Sequence, residues 1–231
     1  MRKGAYSARC SPSKYASFVA SLPAPIKEEI VVKGFGGLLE FKPTFLKREI
    51  VTWIMDRLDP DTLEIKVRGR DHIAITEHAV WCVFQLPRTG GDPPVCTLKA
   101  ATASQKKLAL RLVGDEKAKI LPMTLQDMIV KAKCDLSLSL RSFFLVTFCT
   151  LLFSNTDCYI RVKDALWTED LDNIGNINWC KAVIDEIRLC ARLYHADKKK
   201  KAKPPVTGCG MLLTVSFSSQ VLILLFCKLL L

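Results

Sequence analysis

The residues of this 231-residue chain whose types could do chemistry are three histidines, ten cysteines, one acidic run and one lysine run. His72, His78 and His195 fall on a turn, a helix and a helix end, and no two of them have the HExxH spacing that places a metal pair on one helix face. The cysteines stand at 10, 82, 96, 134, 149, 158, 180, 190, 209 and 227, with no CxxC and no close Cys/His pairing. A structural zinc site needs ligands a few residues apart, so that one turn presents two thiolates, and that spacing is missing. Cys82, Cys149 and Cys190 sit in apolar helical runs, where a free thiol behaves as a small hydrophobe. Without a secretory signal, a reducing compartment is expected. The run Glu169-Asp170-Leu171-Asp172 with Gly175 resembles half a calcium loop, but Ile174 and Lys181 stand where ligands are required. GxSxG, kinase and dinucleotide signatures are absent. No catalytic, cofactor-binding or metal-ligating residue is therefore expected. A cysteine-dependent enzyme remains an alternative that only spatial pairing of a thiol with a histidine would support.

The lysine run holds Lys198, Lys199, Lys200, Lys201 and Lys203, followed by Pro204-Pro205. It reads as a solvated loop, or as a nuclear-import patch that could also touch nucleic acid. The formal net charge is +11, yet residues 51–100 and 151–200 are close to neutral. The excess lies at the N-terminus, around Lys106–Lys133 and in the lysine run, which gives a basic protein without an evident basic face.

The elements that must position these groups are mostly helical. Asp61–Pro87 is the organising stretch: Leu63, Ile65 and Val67 alternate with Glu64, Lys66 and Arg68, the period of a half-buried strand. Arg68-Gly69-Arg70-Asp71 supplies a turn, and Ile73 and Ile75 resume the alternation. Thr76 is placed to cap a following helix with a buried stripe of Val80, Phe84 and Val83, ended by Leu86-Pro87. A two-stranded ribbon is marginal alone, so it must lie on helices.

Thr44–Leu58 predicts a helix with Leu46, Ile50, Trp53, Ile54 and Leu58 inward, and Pro60 follows it. Gly34-Phe35-Gly36-Gly37 lacks the pattern of a phosphate-binding loop and reads as a turn with close backbone packing. Residues 1–25 are basic and fit either a transit peptide or an ordinary tail. Cys96–Pro122 is polar and lysine-rich, which predicts a mobile loop or weakly held helix, and Thr124–Lys133 starts another helix. Leu136–Phe153 is strongly apolar but too short to span a bilayer, so it predicts a buried central helix. Asn176 is expected to cap a long helix with Val183, Ile187, Cys190 and Tyr194 inward and Lys181, Asp185, Arg188 and Arg192 outward. Met211–Leu231 is apolar and long enough for a membrane anchor, though polar residues crowd its first half; a final packed helix or ragged tail is the other reading.

Several of these segments together resemble the plant mobile domain family, labelled "aminotransferase-like", and in particular its grass transposon-associated members. The resemblance is carried by Arg9-Cys10-Ser11-Pro12, Gly34-Phe35-Gly36-Gly37-Leu38-Leu39 and the Trp53 helix up to Asp59-Pro60. It continues through Ile73-Ala74-Ile75-Thr76-Glu77, Leu86-Pro87, Leu151-Leu152-Phe153, Asp172-Asn173-Ile174 and Asn178-Trp179, so that it covers about residues 9–215. It implies a mostly helical domain without established catalytic residues, in transposon-encoded proteins and in host proteins linked to silencing of mobile elements. The aminotransferase label implies pyridoxal phosphate, but no segment offers a Schiff-base lysine context. Some relatives continue into a SUMO-protease-like cysteine peptidase domain, whose activity is not expected of these residues. After Val215 the sequence departs from the family's next helix and looks like a changed reading or a truncated gene model.

The expected architecture is mainly α, a helical domain with one small β-hairpin at about residues 62–75. It divides into a basic segment 1–25, a domain 26–215 and an apolar tail 216–231. The expected function is that of a non-enzymatic interaction module of a transposon-derived plant protein, nuclear, without cofactor, with an unidentified protein partner and non-specific nucleic-acid contact. A membrane protein anchored through residues 211–231 is the alternative.

Overall fold

The apolar run after Asp135 becomes the centre of the molecule because, among the described residues, no other segment has so many large side chains and so few charges to keep in water. The computed structural model describes residues 12–41, 48–67, 72–131, 135–155, 159–200 and 204–215. The protein is mainly α-helical with one two-stranded antiparallel hairpin, the expected class.

Helix α1 (Pro12–Ala20), α2 (Ala24–Val32) and the short α3 (Gly36–Glu40) open the described chain. Of the basic segment 1–25, the described part lies in the core, with Tyr15, Phe18, Val19 and Leu22 buried. The Gly34–Gly37 turn is built for close approach: Gly34 has φ +84°, and a Cβ on Gly37 would lie 2.4 Å from the Phe84 carbonyl oxygen. Helix α4 (Arg48–Met55) follows; the proposed cap Thr44 lies outside the described residues. Its inward face is Val51, Ile54 and Met55, with Leu58 beyond its end. Ile50 and Trp53 are only half-buried, and the Arg57 guanidinium sits 4.0 Å over the Trp53 ring.

The hairpin pairs β1 (Glu64–Ile65) with β2 (Ile73–Ala74) in the register Glu64↔Ala74 and Ile65↔Ile73. Leu63, Ile65, Ile73 and Ile75 face the core, as alternation requires, and the turn 68–71 lies outside the described residues. Thr76 caps α5 (Glu77–Phe84), its hydroxyl oxygen accepting the Ala79 N–H at 3.2 Å, and Val80 and Phe84 are buried.

Residues 98–113 form a full helix, the helical one of the two readings expected for Cys96–Pro122. Helix α6 (Leu98–Val113) is capped by the Thr97 hydroxyl and ended by Gly114 at φ +76°. It buries Ala101, Ser104, Leu108 and Ala109, mostly small side chains that let it lie close to α9 (Val162–Trp167). Helix α7 (Pro122–Val130) starts two residues earlier than Thr124, with Pro122 in its first turn, and packs on α8 (Leu136–Thr147). The last turn of the central run widens to a π-turn over Phe148–Leu152, where the Phe153 N–H reaches the Phe148 carbonyl at 2.7 Å.

Helix α10 (Trp179–Lys198) is capped by Asn178, whose side-chain oxygen accepts the Lys181 N–H at 2.9 Å. The expected cap Asn176 instead ends a 3₁₀ turn over Ile174–Asn176, where its amide binds the Asn173 side chain. Val183, Ile187, Cys190 and Tyr194 are buried as predicted. On the outer face Lys181 reaches Asp92 and Asp185, and Arg188 reaches Asp185. Met211, Leu212 and Leu213 are buried in the same core, so the domain absorbs the start of the proposed anchor. No described helix is long and apolar enough to cross a membrane, and residues 216–231 lie outside the described set.

Asp135 gives a local test of this scaffold. Its carboxylate accepts the Leu138 N–H at 2.7 Å and pairs with Arg111, so its pKa lies below the ordinary aspartate value, the backbone hydrogen bond being the main cause. A depressed native pKa stabilises the fold above the unfolded value and is lost as pH falls through the native one. Asp135→Ala is expected to cost about 1 kcal/mol at neutral pH. In urea titrations that difference should shrink below about pH 4, the ordinary aspartate range.

Candidate functional site

The surface features are a charged floor beneath α9, a basic groove beside it, the lysine-bearing end of α10, and the histidine and cysteine positions. The floor comes first because it positions the groove. Arg161, just before α9, donates to both Asp164 oxygens at 2.8 and 3.0 Å and to Glu186 on α10 at 2.6 Å. Lys163 adds a bond to the other Glu186 oxygen at 3.1 Å. Asp164 is fully buried and Glu186 nearly so. Burial opposes ionisation of Glu186, but Arg161 and Lys163 together hold its carboxyl below the usual range. Burial pushes the Asp164 carboxyl up against the pull of Arg161. The two acids in turn keep Arg161 charged despite its burial.

Next to this floor, α6, the 115–121 connection and residues 159–162 enclose an open groove of about 440 Å³. Its charged lining is Lys106, Glu116, Lys117, Lys119 and Arg161, and its aromatic wall is Tyr159. The Ile160 N–H donates to the Ile120 carbonyl at 2.9 Å, stapling the two walls together immediately beside Tyr159 and Lys119. Asp115 shapes the turn by accepting the Lys117 N–H at 2.9 Å, and Gln105 donates to the Ile160 carbonyl. Lys106 pairs with Glu116 at 3.5 Å, while Lys119 lies 4.6 Å over the Tyr159 ring. Lys117 and Lys119 are exposed and make no ion pair with the described residues. A basic face thus forms where the lysine-rich stretch after Lys106 packs against Tyr159.

At the other end of the molecule Lys198 closes α10 and pairs with Asp56, which also accepts the Tyr194 hydroxyl at 2.7 Å. Slight burial works against ionisation of Asp56, but these two partners and Arg57 bring its pKa below the ordinary value. Lys199 and Lys200 are exposed, and Lys201 and Lys203 lie outside the described residues.

His72 faces Glu64 across the hairpin at 3.2 Å, and the His195 ring meets the Leu58 carbonyl at 3.0 Å. The expectation of no close Cys/His pairing fails at one place, because His78 Nε2 lies 3.5 Å from Cys82 Sγ one helical turn away. The HxxxC spacing was the signal for it. Arg88 lies 3.2 Å from His78 Nδ1. A guanidinium can only donate, so Nδ1 accepts and the proton sits on Nε2, pointing at the sulfur. That arrangement offers the thiol a donor and not a base. Inside the protein, burial pushes the Cys180 thiol up to about 12 and the Cys190 thiol up to about 11. The acidic run makes a turn: Asp170 accepts the N–H groups of Asp172 and Asn173, while Asp172 pairs with Lys33 and Glu169 with Lys107. Among the described residues no group of three His, Cys, Asp or Glu could hold a metal ion.

A family model described as a domain of unknown function, DUF8566, matches residues 8–214. No curated protein and no solved structure matches the chain.

Proposed function

The chain belongs to the DUF8566 family, a domain of unknown function, and we propose that it is a non-enzymatic interaction module of a transposon-related plant protein, nuclear, that touches nucleic acid through exposed lysines. The plant, transposon and nuclear parts of this reading rest on the motifs that resemble the plant mobile domain family. The nucleic-acid part rests on one observation: Lys199 and Lys200 stand exposed at the end of a long anchored helix, with three acidless residues of the same run to follow. Cations presented in this way displace condensed counterions from a phosphate backbone without reading its sequence. The non-enzymatic part is supported by two thiols, Cys180 and Cys190, which burial holds protonated.

The test is a mobility-shift titration of the whole protein with duplex DNA across a salt series. Binding should weaken linearly in log–log form, and each lysine neutralised among Lys198, Lys199, Lys200, Lys201 and Lys203 should flatten the slope by up to about 0.9. Absence of any shift at low salt, or a slope untouched by neutralising all five, overturns the proposal.

A further inference from the structure

We propose that the groove between α6 and residues 159–162 is a binding site for a single-stranded polynucleotide, with Lys117 and Lys119 taking phosphates and Tyr159 stacking a base. This rests on the proposed function, and it names a second, built site with a preference that the lysine run does not have.

Three features of the groove carry it. The first is charge that is available. Arg161 at the floor is spoken for by Asp164 and Glu186, and Lys106 shares Glu116, but Lys117 and Lys119 have no carboxylate partner among the described residues. An anion entering the groove therefore meets net positive charge without breaking an internal ion pair. The second is the aromatic wall. Tyr159 lines the groove half-buried, with the Lys119 ammonium over its ring. A basic groove that tracks the backbone, joined to a ring that stacks bases, is how sequence-tolerant single-strand sites work. The third is rigidity. The Ile160–Ile120 backbone bond, the Asp115 turn and the Gln105–Ile160 bond hold the ring and the lysines in one frame before anything binds.

The same features decide between occupants. Duplex bases already stack on one another and offer Tyr159 no free face, so a duplex could use only the lysines. An acidic peptide would satisfy the lysines but leave the ring without a flat partner. An unpaired base with its flanking phosphates uses both walls at once.

The experiment uses the whole chain with a fluorescently labelled 12-nucleotide single strand, the matching duplex and polyglutamate as competitor, read by anisotropy over a salt series. The expected result is tighter binding of the single strand than of the duplex, with polyglutamate a poor competitor. Lys117→Gln with Lys119→Gln should weaken single-strand binding about tenfold and flatten its salt slope by about 1.4, the single-strand value for two contacts. Tyr159→Leu should weaken it by a similar factor with the slope unchanged, whereas Tyr159→Phe should bind as the parent does. The lysine variants lie on an exposed connection, so they decide the matter even where a Tyr159 variant fails to fold. Equal affinity for duplex and single strand, competition by polyglutamate as strong as by unlabelled DNA, or binding unaltered in both groove variants overturns the site. If binding is then lost only on neutralising Lys198–Lys203, the proposed function stands and the groove does not. No nucleic-acid binding by the parent sinks both.

Discussion

Replacing Arg161 by methionine is expected to lower the unfolding free energy by about 3–5 kcal/mol, the cost of leaving a buried charge without its partner. Among the described residues Arg161 alone is bonded to both carboxylates, and with it gone the fully buried Asp164 loses two charge-assisted bonds while Glu186 keeps Lys163. The pH dependence separates this from a packing defect. Burial already holds the Asp164 carboxyl above its unfolded value, and without the guanidinium it rises further while Glu186 loses the main cause of its depression. A group raised in this way stabilises fully below the unfolded pKa and loses that contribution as pH rises through the native one. The deficit against the parent should therefore grow from mild acid toward neutrality in urea titrations. Replacing Arg161, Asp164 and Glu186 together by apolar residues should restore much of the loss, because the unpaired charges go with the partner. A single variant within about 1 kcal/mol of the parent at pH 7 would show that the network is spare.

Trp179→Ala is the second large effect, expected at about 3–5 kcal/mol as for other fully buried aromatic truncations. The ring lies at the meeting point of the helices: centroids of Phe148, Trp167, Phe35 and Phe153 stand 4.8, 5.8, 6.3 and 6.3 Å from it. Its indole N–H also donates to the buried Ile174 carbonyl at 2.7 Å. Alanine opens a void between rings that belong to different segments of the fold, so they cannot all move to fill it, and it orphans that carbonyl. Trp179→Phe keeps part of the volume but not the donor and should cost less. Denaturant midpoints for the two variants measure the volume and hydrogen-bond parts separately; equal losses would mean that the cavity contributes nothing.

What could be read in advance was local. The hairpin was legible because its turn and its period of two lie within fourteen residues, and the α10 stripe because Val183, Ile187, Cys190 and Tyr194 repeat at helical spacing. Helix α6 was legible only as one of two readings, because its buried side is Ala101, Ser104, Leu108 and Ala109: small residues scarcely register as a hydrophobic face, and the lysines around them suit a loop or a weakly held helix equally. The α10 cap was misplaced because Asn176 and Asn178 offer the same side chain two residues apart, and only the 3₁₀ turn before Ile177 decides between them. The groove and its floor depend on packing of distant segments. Nothing near Tyr159 in sequence announces Lys119, and nothing about Asp164 announces that it will be sealed from water beside Arg161.

The π-turn at Phe148–Leu152 has a consequence for how this domain tolerates length changes. A wide turn holds about one residue more than an α-turn does, so a one-residue deletion there could close into regular helix without breaking the chain. Its flanks would then keep their phase, whereas a one-residue deletion in the regular helix before it would swing everything after it by about 100° around the helix axis. Phe153 would leave its place against Trp167, and Ser154 would lose the Gly208 carbonyl that ties the last described segment to the core. Length changes should therefore be refused within regular α8 but accepted in the exposed connections, and a single deletion absorbed at this one turn, which acts as the phase setting between the two halves of the fold.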